Sequence, residues 1–117
     1  PRRIGVPRLD QRIWFGDSES EHLYARALEK LAAMATIVEL DISPLLEAAR
    51  LLYGGPWVAE RTAAIAELLA TNPYAIDETV RSVVAPGMDM SAVELWNGIY
   101  RLAELKRHAE GLWSDID

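Results

Sequence analysis

Tyr53 and Arg61 are the two side chains whose types and spacing could do chemistry together. They flank Gly54-Gly55-Pro56 in the run Leu51-Leu52-Tyr53-Gly54-Gly55-Pro56-Trp57-Val58-Ala59-Glu60-Arg61. In a helix opened by Pro56, the apolar stripe is Trp57, Val58, Ala64, Ile65, Leu68 and Leu69. Arg61 lies four residues after Trp57 and four before Ile65, so it falls on that stripe, while Glu60 and Glu67 mark the polar face. A guanidinium on a packed face needs an anionic or carbonyl partner, because an unpaired buried charge is costly. Tyr53 falls on an inward stripe with Leu46, Ala49 and Leu52. The turn at Gly54 and Gly55 would offer backbone N–H groups at a helix start, where an anion is favoured. A phenol, a guanidinium fork and a helix start can together hold a small carboxylate. Two plainer alternatives stay open: Arg61 pairs with Glu47 or runs its stem out to water, and Tyr53 is a core ring with a satisfied hydroxyl.

The elements that must position this pair follow from periodicity and punctuation. Strands are predicted over about 3–6 and 37–40, from Arg3-Ile4-Gly5-Val6-Pro7 and Thr36-Ile37-Val38-Glu39-Leu40. Between them Leu23, Tyr24, Ala27, Leu28, Leu31, Met34 and Ala35 make one stripe of a helix over about 19–35, with Ser18 to Glu21 in the form of a capping box. Further helices are predicted over about 44–53, 56–70, 77–84 and 92–113. Ser43 and Pro44 open the first of these. Gly54-Gly55 closes it, since glycine accepts the left-handed conformation at a helix end. Ser91 to Glu94 is a second capping box and opens the last. The expectation is an α/β chain, mostly helical: a β-α-β unit with two parallel strands, then about four helices, as a single segment over 1–117. Two parallel strands alone are marginal in water and normally lie inside a larger sheet, so the chain reads as a fragment whose further strands are missing.

Composition narrows the function classes. The 117 residues are half apolar, which excludes disorder and allows a modest core. Twelve basic residues against eighteen acidic ones leave a net charge of −6. That balance disfavours a nucleic-acid backbone or an anionic membrane as partner. Without cysteine there is neither a disulfide nor a thiolate metal site. His22 and His108 are solitary, so no metal and no cofactor is expected. The start, Pro1-Arg2-Arg3-Ile4, has no apolar signal region and no initiator Met, as in a fragment or processed chain. A soluble, cytoplasmic protein is expected. Trp57, Trp96 and Trp113 at helical spacings are read as core or interface, and an exposed apolar patch among them would favour self-association as a homo-oligomer.

Several stretches carry a family resemblance: Arg3-Ile4-Gly5-Val6-Pro7, Phe15-Gly16-Asp17, Val38-Glu39-Leu40-Asp41, Tyr100-Arg101-Leu102 and, most specific, Glu47-Ala48-Ala49-Arg50-Leu51-Leu52-Tyr53-Gly54-Gly55-Pro56-Trp57-Val58-Ala59-Glu60-Arg61. Along nearly its whole length the chain resembles the amidase-signature family, in its allophanate hydrolase branch. The resemblance implies a piece of a large mixed sheet flanked by helices. It implies amide hydrolysis by a Ser–Ser–Lys triad on allophanate, made by a biotin-dependent urea carboxylase, with ammonia and carbon dioxide as products. It assigns the substrate carboxylate to Tyr53 and Arg61, with Gly54 and Gly55 between them. The family's Gly-rich Ser-Ser segment is absent, and the only lysines, Lys30 and Lys106, sit on predicted helix surfaces. The catalytic residues would therefore come from the rest of the amidase domain, and this segment alone would be inactive. The alternatives are a segment of another amidase-signature amidase or amidotransferase subunit, for which an inward Arg61 has no purpose, and a non-catalytic helical interaction module.

Overall fold

Arg3–Pro7 (β1) and Thr36–Leu40 (β2) pair in parallel, Arg3 opposite Thr36 and Pro7 opposite Leu40, in a computed structural model that describes residues 2–117. Between them runs helix α1, Ser18–Ala32. After β2 come α2 (Ser43–Gly54), α3 (Trp57–Ala64), α4 (Ala66–Thr71), α5 (Glu78–Val84) and α6 (Ala92–Leu112), joined by short 3₁₀ turns. The chain is thus a mostly helical α/β segment with one parallel strand pair. Two compact units are distinguished, Pro1–Pro44 with Arg107–Asp117, and Leu45–Lys106.

In the first unit Val6 is buried in the middle of β1. Parallel pairing leaves alternate peptide groups of β1 facing away from β2. At Arg3 these are met by Asp117: the Arg3 N–H donates to Asp117 Oδ2 at 2.8 Å and the Asp117 N–H donates to the Arg3 carbonyl at 3.0 Å. Helix α1 is capped one residue earlier than expected. Asp17, not Ser18, accepts from the Ser20 N–H at 3.0 Å. A carboxylate one residue upstream outcompetes the serine because it accepts from both the N–H and the hydroxyl of Ser20.

Asp41 does the same at the start of α2, where Ser43 was the expected cap. Its carboxylate accepts from the Ser43 hydroxyl at 2.5 Å, the Ser43 N–H at 3.0 Å and the Gln11 amide at 2.7 Å. The Ser43 hydroxyl, then its N–H, then Gln11, with Arg8 nearby, hold the Asp41 carboxyl down from 3.8 to about 2. A lowered folded-state pKa means stability that is present above 3.8 and lost as pH falls towards 2. Asp41→Asn is accordingly expected to flatten the acid limb of the stability curve between pH 4 and 2, read as the difference in denaturant midpoint from the parent chain. Equal slopes for the two chains would contradict this.

In the second unit the buried residues include Val58 and Thr62 of α3, Val84 of α5 and Leu105 of α6. The helix expected over 56–70 is two helices broken at Ile65. Thr62, 2% exposed, places its hydroxyl within hydrogen-bonding reach of the Val58 carbonyl at 2.8 Å and of the Val84 carbonyl. A threonine bonded back to the carbonyl four residues earlier bends a helix, and here it also ties α3 to α5. The second capping box forms as expected: the Ser91 N–H donates to Glu94 Oε2 at 2.9 Å, and the Glu94 N–H donates to Ser91 Oγ at 3.2 Å.

Candidate functional site

Helix α2 runs through Tyr53 to Gly54, turns at Gly55-Pro56, and continues as α3 with Arg61 in its second turn. The turn is made differently from the expected glycine cap. Gly16 is the only glycine with positive φ among the described residues, so neither Gly54 nor Gly55 is left-handed. What Gly55 supplies is room: a Cβ there would lie 2.6 Å from the Leu51 carbonyl oxygen. The two helices can therefore meet without a connecting loop. The Val58 N–H is used within this turn, donating to the Gly55 carbonyl at 3.1 Å.

The close turn brings Tyr53 and Arg61 together. The guanidinium carbon of Arg61 lies 5.1 Å from the Tyr53 ring centroid, a cation–π geometry. Arg61 Nη1 donates to the Leu52 carbonyl at 3.0 Å. The half-buried guanidinium thus has the carbonyl partner that a packed face demands. It also satisfies a carbonyl in the last turn of α2, which a left-handed glycine cap would otherwise help to satisfy. An arginine carries five N–H donors, so one bond to a carbonyl leaves most of the fork for a carboxylate.

Tyr53 is not on the inward face. It is 66% exposed, and Leu52 and Ala49 are exposed as well. The covered side of α2 carries Leu46, Glu47, Ala48 and Leu51. On the covered side Glu47 meets a partner 54 residues away. Arg101 of α6 grips Glu47 with both ends of its fork, Nε to Oε1 and Nη2 to Oε2, each 2.6 Å, while its Nη1 meets Glu104 at 2.6 Å. The fork holds Glu47 against Arg101 of α6, while Tyr53 faces outward. Glu47 is thus held by Arg101, while Arg61 meets the Leu52 carbonyl and the Tyr53 ring. Neither Glu47 nor Arg101 was marked as a site-building residue in the sequence. The only local signal was the three-residue spacing of Arg101 and Glu104.

Tyr53 and Gly54 open onto a cleft of about 290 Å³, whose other walls are Val58, Ser82, Val83, Pro86 and Met90. The wall is mostly apolar, with the Tyr53 phenol and the Ser82 hydroxyl as its polar side-chain groups. Arg61 does not line it. His22 and His108 are exposed, and no group of described residues could hold a metal ion. Lys30 and Lys106 are both exposed. No helix among the described residues is long and apolar enough to cross a membrane.

Fold and sequence together define the class: the chain is homologous to a region of larger enzymes. Those enzymes are allophanate hydrolase and urea amidolyase. The urea amidolyase of Lachancea kluyveri is 35% identical over 120 residues, covering 100% of this chain and 7% of that protein. The urea amidolyase of Saccharomyces cerevisiae is 35% identical over 107 residues, covering 89% of this chain and 6% of that protein. The solved allophanate hydrolase of Kluyveromyces lactis matches with a TM-score of 0.88 and 36% identity, over 99% of this chain and 19% of that one. The Kluyveromyces lactis urea amidolyase structure matches with a TM-score of 0.89 and 37% identity, over 99% of this chain and 7% of that one. No protein-family model matches. The chain therefore spans only a small part of the length of each relative.

Proposed function

We propose that this chain is the segment of a cytoplasmic amidase-signature hydrolase that recognises the carboxylate of allophanate during urea breakdown. The observation that carries the reading is the stack of Arg61 on Tyr53, with the guanidinium bonded to a carbonyl rather than to a carboxylate of its own helices. A neutral amide substrate would leave the rest of its fork without an anionic partner. The homology to enzymes named for allophanate and urea supports the substrate, and the exposed position of Tyr53 leaves its hydroxyl accessible to a ligand. Chemistry would come from the rest of the enzyme. Both lysines of this segment are exposed on helices, and a nucleophile needs its base within hydrogen-bond reach.

Two measurements test this. The 117-residue chain alone is expected to release no ammonia from allophanate, and ordinary turnover by it would refute the division of labour. In an enzyme carrying this segment, Tyr53→Phe removes one hydroxyl hydrogen bond to the substrate and should raise KM for allophanate about two- to tenfold. A KM unchanged in that variant would remove Tyr53 from the site.

A further inference from the structure

Two residues one helical turn apart on α6 hold the turn that carries Tyr53 and Arg61. Arg101 binds Glu47 in the second turn of α2 through two parallel hydrogen bonds of 2.6 Å, and Glu104 fixes the remaining end of the fork. Gly98, three residues before Arg101, lies against Pro56 at the α2–α3 turn so closely that a Cβ would stand 2.6 Å from Pro56 Cγ. Ala48, Leu52, Trp57 and Leu102 line a cleft of about 170 Å³. To this apolar contact the bidentate fork adds a directional constraint on Glu47, and so on the rotation of α2. The rotation of α2 in turn decides where Tyr53 points and where the Leu52 carbonyl meets Arg61.

We propose that Arg101 is a positioning residue for the Tyr53–Arg61 pair, acting through Glu47 to set the rotation of α2. It does not touch the substrate. The proposal rests on the carboxylate-site reading for its effect on substrate affinity, but not for its effect on the geometry of the pair.

The test uses an enzyme that carries this segment. Arg101→Met keeps the apolar stem and removes the fork, and Glu47→Gln keeps the shape while removing the charge. Both are expected to move the aromatic NMR signals of Tyr53 and to raise KM for allophanate about tenfold with little change in kcat, as a misplaced binding group does. A purely structural loss would instead lower the active fraction, and so kcat, at unchanged KM. Arg101→Met should add little to Arg61→Leu, since both act through one pair. Tyr53 signals that move while KM stays constant would uphold the positioning role and refute the carboxylate reading. Tyr53 signals unmoved in both variants would overturn the positioning role, whatever KM does.

Discussion

Replacing Arg61 with leucine, in an enzyme that carries this segment, is expected to raise KM for allophanate by about 10- to 100-fold. The figure follows from losing charge-assisted hydrogen bonds, each worth roughly 1.5–3 kcal/mol. Leucine suits the half-buried position on α3, so the helix itself should persist. The bond to the Leu52 carbonyl and the stack on Tyr53 are lost with the charge, so some loss of stability accompanies the change in affinity. KM separates the two effects, because partial unfolding lowers the amount of active enzyme but not its affinity. Arg61→Lys gives a second reading: it keeps the charge but not the planar fork, and KM should fall between the parent and the leucine variant. Steady-state kinetics on allophanate check both variants. A leucine variant with the parent's KM would end the carboxylate assignment.

Gly87→Ala is expected to cost about 1–3 kcal/mol of folding stability, the usual range for forcing a methyl group into a filled interior. Gly87 is buried in the 3₁₀ turn after α5, pressed against α3. A Cβ there would lie 2.8 Å from the Val58 carbonyl oxygen and 2.9 Å from the Ala59 Cα, besides meeting the Thr62 hydroxyl. Two of these three neighbours are backbone atoms, which cannot swing aside. Relief would have to come from separating α3 from α5, and that breaks the bond from Thr62 to the Val84 carbonyl. Gly54→Ala is the control. A Cβ at Gly54 meets nothing within 4 Å, and its backbone is not left-handed, so alanine there should be neutral or slightly stabilising. Denaturant unfolding of the two variants beside the parent chain checks the contrast. Equal stabilities for the Gly87 and Gly54 variants would contradict it.

Local rules were legible where the signal itself was local. The parallel β1–β2 pair, the long α6 and its Ser91–Glu94 box follow from alternation, spacing and a reciprocal cap, all within a few residues. The capping groups of α1 and α2 lie a residue or two ahead of the expected serines, because the Asp17 and Asp41 carboxylates accept from the N–H groups of Ser20 and Ser43. The break at Ile65 was missed because the apolar stripe continues across it. At that break the Thr62 hydroxyl bonds back to the Val58 carbonyl and also reaches the carbonyl of Val84, 22 residues on.

The same division holds for the candidate site. By itself, the sequence determined that Tyr53 and Arg61 flank a glycine-rich turn, that Arg61 lies on a covered helix face, and that no cysteine or histidine cluster competes for a metal. Those properties depend on helical spacing and residue type alone. Only the tertiary structure decided which way Tyr53 faces, what partners Arg61 and why the turn needs glycine. Tyr53 faces out from the helix whose Glu47 is gripped by Arg101, the Leu52 carbonyl takes Arg61, and the Leu51 carbonyl leaves no space for a Cβ at position 55. The fork acts across 54 residues of chain, and the other two depend on how tightly the two helices meet. Periodicity within one helix cannot encode either.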